Sequence, residues 1–544
     1  MKPKKIALFN SLALGLLGLL LLVVKGFHFE NNDDVGMFCM VKGLLQFEAT
    51  PHLFFQSSYL GYLYQWLYAN LPAIEWYFVV YYFFILAGLV YVSYCILVGA
   101  KNIQSCFTIL LLCFLASAEV LLGGLQFTKA AIWLGLAAAI GIQYYLQGNR
   151  HWHHLIFAFL FMLFGMLYRD SFAVISFGIF SVGSLLWLYK NKGIYKRWFA
   201  VYGAAGALII SVFWLNENAT NKHIPGFAEQ NTRRARVNDF GILKKLDAYP
   251  ELKEKYTLQF PELELIRYWI YPKEFAKNQA LTKALEEIYN LPEPQGRLLD
   301  SIKGTTLRFV SGWQNKLTLF VLLALLLISY LLKKKIPLEV WFTGTVLMLF
   351  LYTTGYMYKT VPPRVGNALL TAALFYCLAF IGLGIGQSLI QKLLRYTSLA
   401  AGAFLVLLGY LVNIDSAKKS DWTYGCLRDV VYDSGKPVFL TYQDIHNGIY
   451  FEALWPERFN DLKLGSFYTI GWCMTHPAYL ASLKMEFGGD DILKMLANGK
   501  MLLTDNPYNR ELAKKLLACM RKPDLRIIPV NQNGKAFLKL ETKN

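Results

Sequence analysis

The sequence predicts a polytopic α-helical membrane protein of about eleven transmembrane helices, with a C-terminal α/β domain on the far side of the bilayer. Three observations carry that reading. Hydrophobic residues fill 56% of the 544 positions, above the roughly 45–50% of a soluble domain. The 17% that are charged gather between long apolar runs instead of spreading evenly. Lysine and arginine favour every second connection between those runs. The 54 Lys and Arg against 36 Asp and Glu leave a net charge of +18. On a soluble chain that excess would point to nucleic acid; here it serves topology and contact with anionic lipid.

The apolar runs fall at about 6–24, 76–98, 105–122, 130–146, 155–168, 171–189, 198–215, 317–332, 340–356, 366–388 and 397–413. Several are shorter than the ~20 residues that cross a ~30 Å core, so tight hairpins are expected near Gln126 and Arg169. The first run has 19 uncharged residues, long for a signal peptide, and Lys25-Gly26-Phe27-His28 gives no cleavage site. It is therefore expected to remain as the first helix. Six alternate segments carry Lys2, Lys4, Lys5; Lys101; Arg150; Lys190, Lys192, Lys196, Arg197; Lys333, Lys334, Lys335; and Lys392, Arg395. Their only acid is Glu339, at the edge of a span. The positive-inside rule makes all six cytoplasmic, together with the N-terminus.

The opposite face then holds a first loop (25–75), a central loop (216–315) and the tail (414–544). Residues 1–413 read as a transmembrane module and 414–544 as a separate α/β domain. In the first loop, Met37, Val41, Leu44 and Leu45 repeat at helical spacing, predicting an amphipathic helix along the interface; Leu60–Leu71 predicts a second. The central loop is helix-prone, punctuated by Pro250, Pro261, Pro272, Pro292 and Pro294. In the tail, Val438–Leu440 and Phe467–Ile470 read as strands, and Asp491–Ala497 and Arg510–Cys519 as helices. Leu525–Val530 and Ala536–Leu540 flank Asn533-Gly534, a hairpin turn. Cys39, Cys426, Cys473 and Cys519 lie outside the apolar runs and could pair in an oxidising compartment.

Asp33 and Asp34 sit just beyond the outer end of the first helix. Carboxylates there either cap the next helix or act as a general base at the membrane surface, and one residue can do each. Lys129, Arg169, Lys359 and Arg364 lie in short outer connections, where topology prefers no cation. Singly, Lys129 or Lys359 reads as a snorkelling charge. Arg169 abuts Asp170, an ion pair in sequence, and Arg364 follows the rigid Pro362-Pro363. As a set they suit a phosphate or pyrophosphate clamp. Arg233, Arg234 and Arg236 form a further basic cluster, equally a solvated face, and Glu119 is an ionisable residue inside the third run. His52 is either an interfacial packing residue or an aid to substrate binding. His151-Trp152-His153-His154 lacks a carboxylate or cysteine partner for a metal, and Phe487–Asp491 reads as a turn and helix cap.

These features resemble the GT-C superfamily of glycosyltransferases, and more narrowly a bacterial group of GT-C-like polytopic membrane proteins. The stretches that carry the resemblance run from Asn32-Asp33-Asp34 through Pro51-His52, Leu60-Gly61 to Pro72, Trp76-Tyr77 and Leu125-Gln126-Phe127-Thr128. Arg233–Asp239, Tyr268-Trp269, Gly471-Trp472 and His476-Pro477-Ala478-Tyr479 complete it. The resemblance implies an inverting sugar transfer from a polyprenyl-phosphate donor on the outer face, to a glycan, lipid or protein acceptor. An aspartate of the Asp33-Asp34 pair would be the base. Sugar, acceptor and any divalent cation are left open. The alternatives are a polysaccharide polymerase or ligase, and a lipid or polysaccharide transporter. Against transport, ionisable residues are scarce at mid-span and no pair of broken helices marks a midplane site.

Overall fold

The computed structural model describes residues 3–25, 32–44, 47–98, 113, 121, 124–147, 151–225, 246–267, 270, 278–291, 302–304, 306, 338–358, 361–381, 438–440, 467–469, 474, 477–487, 491–520, 525–532 and 535–542. The helices are α1 (Pro3–Lys25), α2 (Asn32–Lys42), α3 (Ser58–Asn70), α4 (Trp76–Leu97), α5 (Phe127–Leu146), α6 (His153–Lys190) and α7 (Tyr195–His223). The central loop contributes α8 (Pro250–Gln259), α9 (Glu262–Arg267) and α10 (Gln279–Tyr289), followed by α11 (Leu338–Tyr358) and α12 (Pro363–Ile381). Of the described helices, α1, α4, α5, α6 and the segment containing α7 are long and apolar enough to cross a membrane; α11 and α12 contain shorter apolar stretches. The runs at 105–122, 317–332 and 397–413 fall almost wholly outside the described residues.

Helix α6 has 38 residues, or about 57 Å at 1.5 Å per residue, nearly two bilayer cores. It is in fact a hairpin. The backbone leaves the helical region at Arg169 (φ −165°, ψ 99°), and the arms return on each other. A Cβ built on Gly165 would lie 3.2 Å from that of Ala173. The turn expected near Arg169 is therefore present, without an intervening loop. Helix α5 packs against both arms: a Cβ on Gly165 of the first arm would lie 3.2 Å from the Leu134 Cβ, and from the second arm Ser176 Oγ donates to the Ile132 carbonyl at 2.6 Å while Gln143 Nε2 donates to the Phe180 carbonyl at 2.6 Å. Gly135 allows the approach, because a Cβ there would crowd the Ala173 carbonyl. Its small residues suit such packing, where lipid supplies no hydrophobic drive between helices, and α5 is buried along almost its whole length.

The two ends of the bundle differ in charge. At one end Lys190 Nζ meets Glu339 Oε1 at 2.7 Å, and Lys4 lies close enough to His153 and His154 to act on them electrostatically. These groups come from segments expected on the cytoplasmic side. The opposite end gathers Asp33, Asp34, Thr128, Arg169 and Asn216, described below.

One expectation is corrected. Helix α2 does not lie on the interface with one face out: Val35, Met37, Phe38, Cys39, Met40 and Val41 are all buried. Residues on every side are apolar, so the helix sinks into the bundle, and burial pushes the Cys39 thiol pKa upward. Helix α3 is one-sided, with Leu60, Gly61 and Tyr64 buried while Tyr59, Tyr62 and Trp66 face outward.

Helices α8–α10 share a small core of their own around Tyr256, Phe260, Ile266, Leu281 and Ile288. The tail forms a five-stranded sheet from β1 (Val438–Leu440), β2 (Phe467–Thr469), β3 (Leu502–Thr504), β4 (Leu525–Gln532) and β5 (Lys535–Thr542), in the order β2-β1-β3-β5-β4. β1 runs parallel to β2 and β3, and β5 antiparallel to β3 and β4. Gln532 pairs with Lys535, which leaves the two-residue connection expected of Asn533-Gly534. Helices α13 (Pro477–Phe487), α14 (Ile492–Ala497) and α15 (Pro507–Met520) complete the unit. Lys515 Nζ on α15 bonds Glu264 Oε2 on α9 at 2.7 Å, and the buried Tyr479 ring packs edge-on to Phe47 of the first loop. The tail therefore touches both the 47–75 segment and the central helices α8–α10.

Candidate functional site

Asp33 and Asp34 occupy the first turn of α2, as the capping residues of a new helix should. Asp34 is wholly buried and Asp33 is 9% exposed. The Asp34 carboxylate reaches beyond its own helix: Oδ1 accepts from the Phe127 amide at 3.2 Å and the Tyr77 hydroxyl at 3.3 Å. Gln56 Nε2 in turn donates to the Tyr77 oxygen at 2.7 Å. Phe127 is the first residue of α5, so the carboxylate sits at that helix's positive end. One side chain thereby joins α2, α4 and α5. Capping and site-building are the same contact, but the capped helix is α5.

The start of α5 is fixed from two further directions. Gln126 Oε1 accepts from the Lys129 amide at 3.0 Å, and the Tyr81 hydroxyl meets the Gln126 backbone amide at 3.2 Å. Arg169, at the break in α6, donates to Thr128 Oγ1 at 3.3 Å. Its guanidinium lies 4.9, 5.1 and 5.5 Å from the ring centres of Phe172, Phe127 and Phe55, a cation–π cradle that fixes the plane of the fork. The Ser171 amide donates to Asp170 Oδ1 at 2.6 Å. Ser57 Oγ donates to Asn216 Oδ1 at 2.6 Å while its amide donates to the Leu167 carbonyl at 2.8 Å. The first loop is thus pinned to α6 and α7.

His52 stacks on His223 with ring centres 4.0 Å apart, and its Nδ1 lies 3.2 Å from Ser58 Oγ. Gly61 makes this possible, since a Cβ there would strike the Pro51 carbonyl. Burial, then the neighbouring His223, hold the His52 pKa below its ordinary 6.5. Lys129 is wholly buried in the first turn of α5 and is therefore not a snorkelling surface charge.

Arg233, Arg234, Arg236, Lys359 and Glu119 lie outside the described residues. Arg364 is described only through its backbone, in the first turn of α12 immediately after Pro363. Of the expected set, the structure brings Asp33, Asp34, Lys129, Arg169 and Asp170 to one end of the bundle, with His52 beside the end of α7. Gln56, Ser57, Asn216 and His223 were not singled out from sequence, because nothing in a single chain marks an amide or hydroxyl as a tether. Within the histidine run His154 is buried, with Nδ1 3.1 Å from the Tyr91 hydroxyl, while His151 and His153 are exposed. Among the described residues no three His, Cys, Asp or Glu side chains converge as metal ligands. Asp491 caps α14 by accepting from the Leu493 and Lys494 amides.

Fold and site together define a polytopic helical membrane protein with a carboxylate pair and an aromatic-cradled arginine at one end of its bundle. No family model matches the chain, and no curated protein matches it. Among solved structures, the crystal structure of ArnT from Cupriavidus metallidurans bound to undecaprenyl phosphate is similar over 97% of each chain, at 12% identity and a TM-score of 0.37.

Proposed function

We propose that the protein is a GT-C-type membrane glycosyltransferase that moves a sugar from a polyprenyl-phosphate donor to a glycan, lipid or protein acceptor on the extracytoplasmic face. The observation that carries this reading is the meeting of Asp34 and Arg169 on adjacent residues at the start of α5, Phe127 and Thr128. A base for the acceptor hydroxyl and a cation for the leaving phosphate are the two groups such a transfer needs.

In the proposed reaction, Asp34, oriented by Tyr77 and the Phe127 amide, takes the proton of the acceptor hydroxyl, with Asp33 as the second carboxylate. The acceptor oxygen attacks the anomeric carbon from the face opposite the phosphate, and the carbon–oxygen bond to the phosphate breaks with inversion. The electron pair leaves on the phosphate, facing Arg169. Lys129, Lys359, Arg364 and the Arg233, Arg234 and Arg236 cluster are proposed to assist in holding the donor, and His52 and Asp170 to line the acceptor side. A divalent cation is compatible with this scheme and not required by it. The proposal includes about eleven spans in the bacterial cytoplasmic membrane, a transmembrane module over 1–413, a cytoplasmic N-terminus, and an outer 414–544 domain that helps hold the acceptor.

The test is Asp33→Asn and Asp34→Asn in purified protein, with sugar release from a polyprenyl-phosphate donor mixture as the readout. Either or both should lose roughly 10²–10⁴-fold in turnover, the usual contribution of a general base. Wild-type turnover in both would reduce the pair to a structural cap.

A further inference from the structure

At the basic end of the bundle, away from the acidic pair, a cavity of about 150 Å³ opens between α5, α6 and α11. Gln143, Gly183, Ser184, Trp187 and Glu339 line it. At ~30 Å³ per water this is about five waters' worth of space, the scale of a lipid headgroup and not of an acyl chain. Glu339, only 7% exposed overall, sets a carboxylate in an otherwise mostly apolar wall. Lys190, half exposed, bonds that carboxylate at 2.7 Å. Trp341, two residues after Glu339 in the first turn of α11, faces outward, as aromatic side chains do at headgroup depth.

From this geometry we infer that the cavity binds the headgroup of an amine-bearing phospholipid of the cytoplasmic leaflet. Pockets between membrane helices on the cytoplasmic side, furnished with Lys or Arg, take lipid phosphates, and Lys190, bonded to Glu339 on the cavity wall without lining it, supplies that charge beside the opening. A pocket with only cations would favour anionic lipids. The carboxylate of Glu339 reverses that preference, because it repels a second negative group and attracts an ammonium two carbons beyond the phosphate. Gly183 keeps the site open: a Cβ at that position would collide with the Tyr376 hydroxyl and lie 3.3 Å from the Glu339 Cβ. Trp187 offers an apolar wall for the short carbon linker. This inference does not depend on the glycosyltransferase reading, since the cavity lies at the other end of α5.

The test uses full-length protein in detergent, titrated with short-chain phosphatidylethanolamine or short-chain phosphatidylglycerol and followed by tryptophan fluorescence and thermal unfolding. The wild type should bind the ethanolamine lipid at least tenfold more tightly. Glu339→Gln, which keeps an oxygen for Lys190, should abolish the preference, while Lys190→Gln should weaken both lipids. No preference in the wild type overturns the proposal, even where a variant fails to fold. So does a preference that survives Glu339→Gln, and so does equal destabilisation by both substitutions without change in lipid preference, which would make the pair only a lock between α6 and α11.

Discussion

Replacing Asp34 by alanine and by asparagine should separate its structural contacts from its charge. Its Oδ1 accepts from two donors, the Phe127 amide at 3.2 Å and the Tyr77 hydroxyl at 3.3 Å, in a wholly buried position. Alanine leaves both without that acceptor. A buried donor so stranded costs about 1–3 kcal/mol, and these lengths place each near the lower bound, so the loss should be about 2–3 kcal/mol. Asparagine presents an amide oxygen to the same two donors and should stay within about 1 kcal/mol of wild type. Tyr77→Phe removes one donor and strands Gln56 Nε2, about 1 kcal/mol, and combined with Asp34→Ala it should cost less than the separate effects predict. Thermal and denaturant unfolding of the purified variants in one detergent measures all four. If Asp34→Ala proves as stable as Asp34→Asn, the carboxylate does not hold α5, and the argument for a built site fails with it.

Three further outcomes follow from the same geometry. Arg169→Ala should weaken donor binding by about 1.5–3 kcal/mol, tenfold to over a hundredfold, as expected for a charged hydrogen bond; Arg169→Lys should not restore it, because an ammonium cannot use the flat cradle of Phe55, Phe127 and Phe172. For His52, the folded pKa lies below the ordinary 6.5, so the folded state binds fewer protons than the unfolded one and loses stability as pH falls through 6.5. His52→Gln should therefore gain on wild type in unfolding measured from pH 7.5 down to 5, and parallel curves would show that the stacked pair does not titrate as described. A reporter fused after Asn544 should be active only outside the cytoplasm; activity confined to the cytoplasm would overturn the proposed orientation.

Much of the bundle was legible because hydrophobic length reports directly on which helices can cross a bilayer. The hairpin at Arg169 was expected from two short runs, β1 from a short run of β-prone residues, and the Asn533-Gly534 connection from turn chemistry. Helix α2 was misread for a physical reason. Met37 and Val41 do fall on one helical face, but Leu44 lies past the end of the helix and Phe38, Cys39 and Met40 fill the other sides, and all-round apolarity means burial. The charged residues that meet at that end were legible as an acidic pair just past the first helix and as cations in short connections where topology prefers none. Gln56, Ser57, Tyr77 and Asn216 carry no such mark, since a phenol or amide becomes a tether only when a distant segment arrives beside it.

That dependence on distant segments also explains how a carboxylate is kept inside an apolar bundle. Burying an unpaired charge is prohibitive, so Asp34 can be accommodated only where donors already wait for it. Those donors are the first amide of α5 and a phenol on α4, with Gln56 of the first loop behind the phenol. The same loop is tied through Ser57 to α6 and α7, and Arg169 reaches back to the residue after Phe127. The contacts therefore close a circuit through α2, α4, α5, α6 and α7. Loosening any one helix removes a donor or a cation from the site. The apolar residues of α2 resist that loosening, because their burial anchors the segment that carries both aspartates. In this protein the hydrophobic packing of a short, non-spanning helix is what sets the position of the acid.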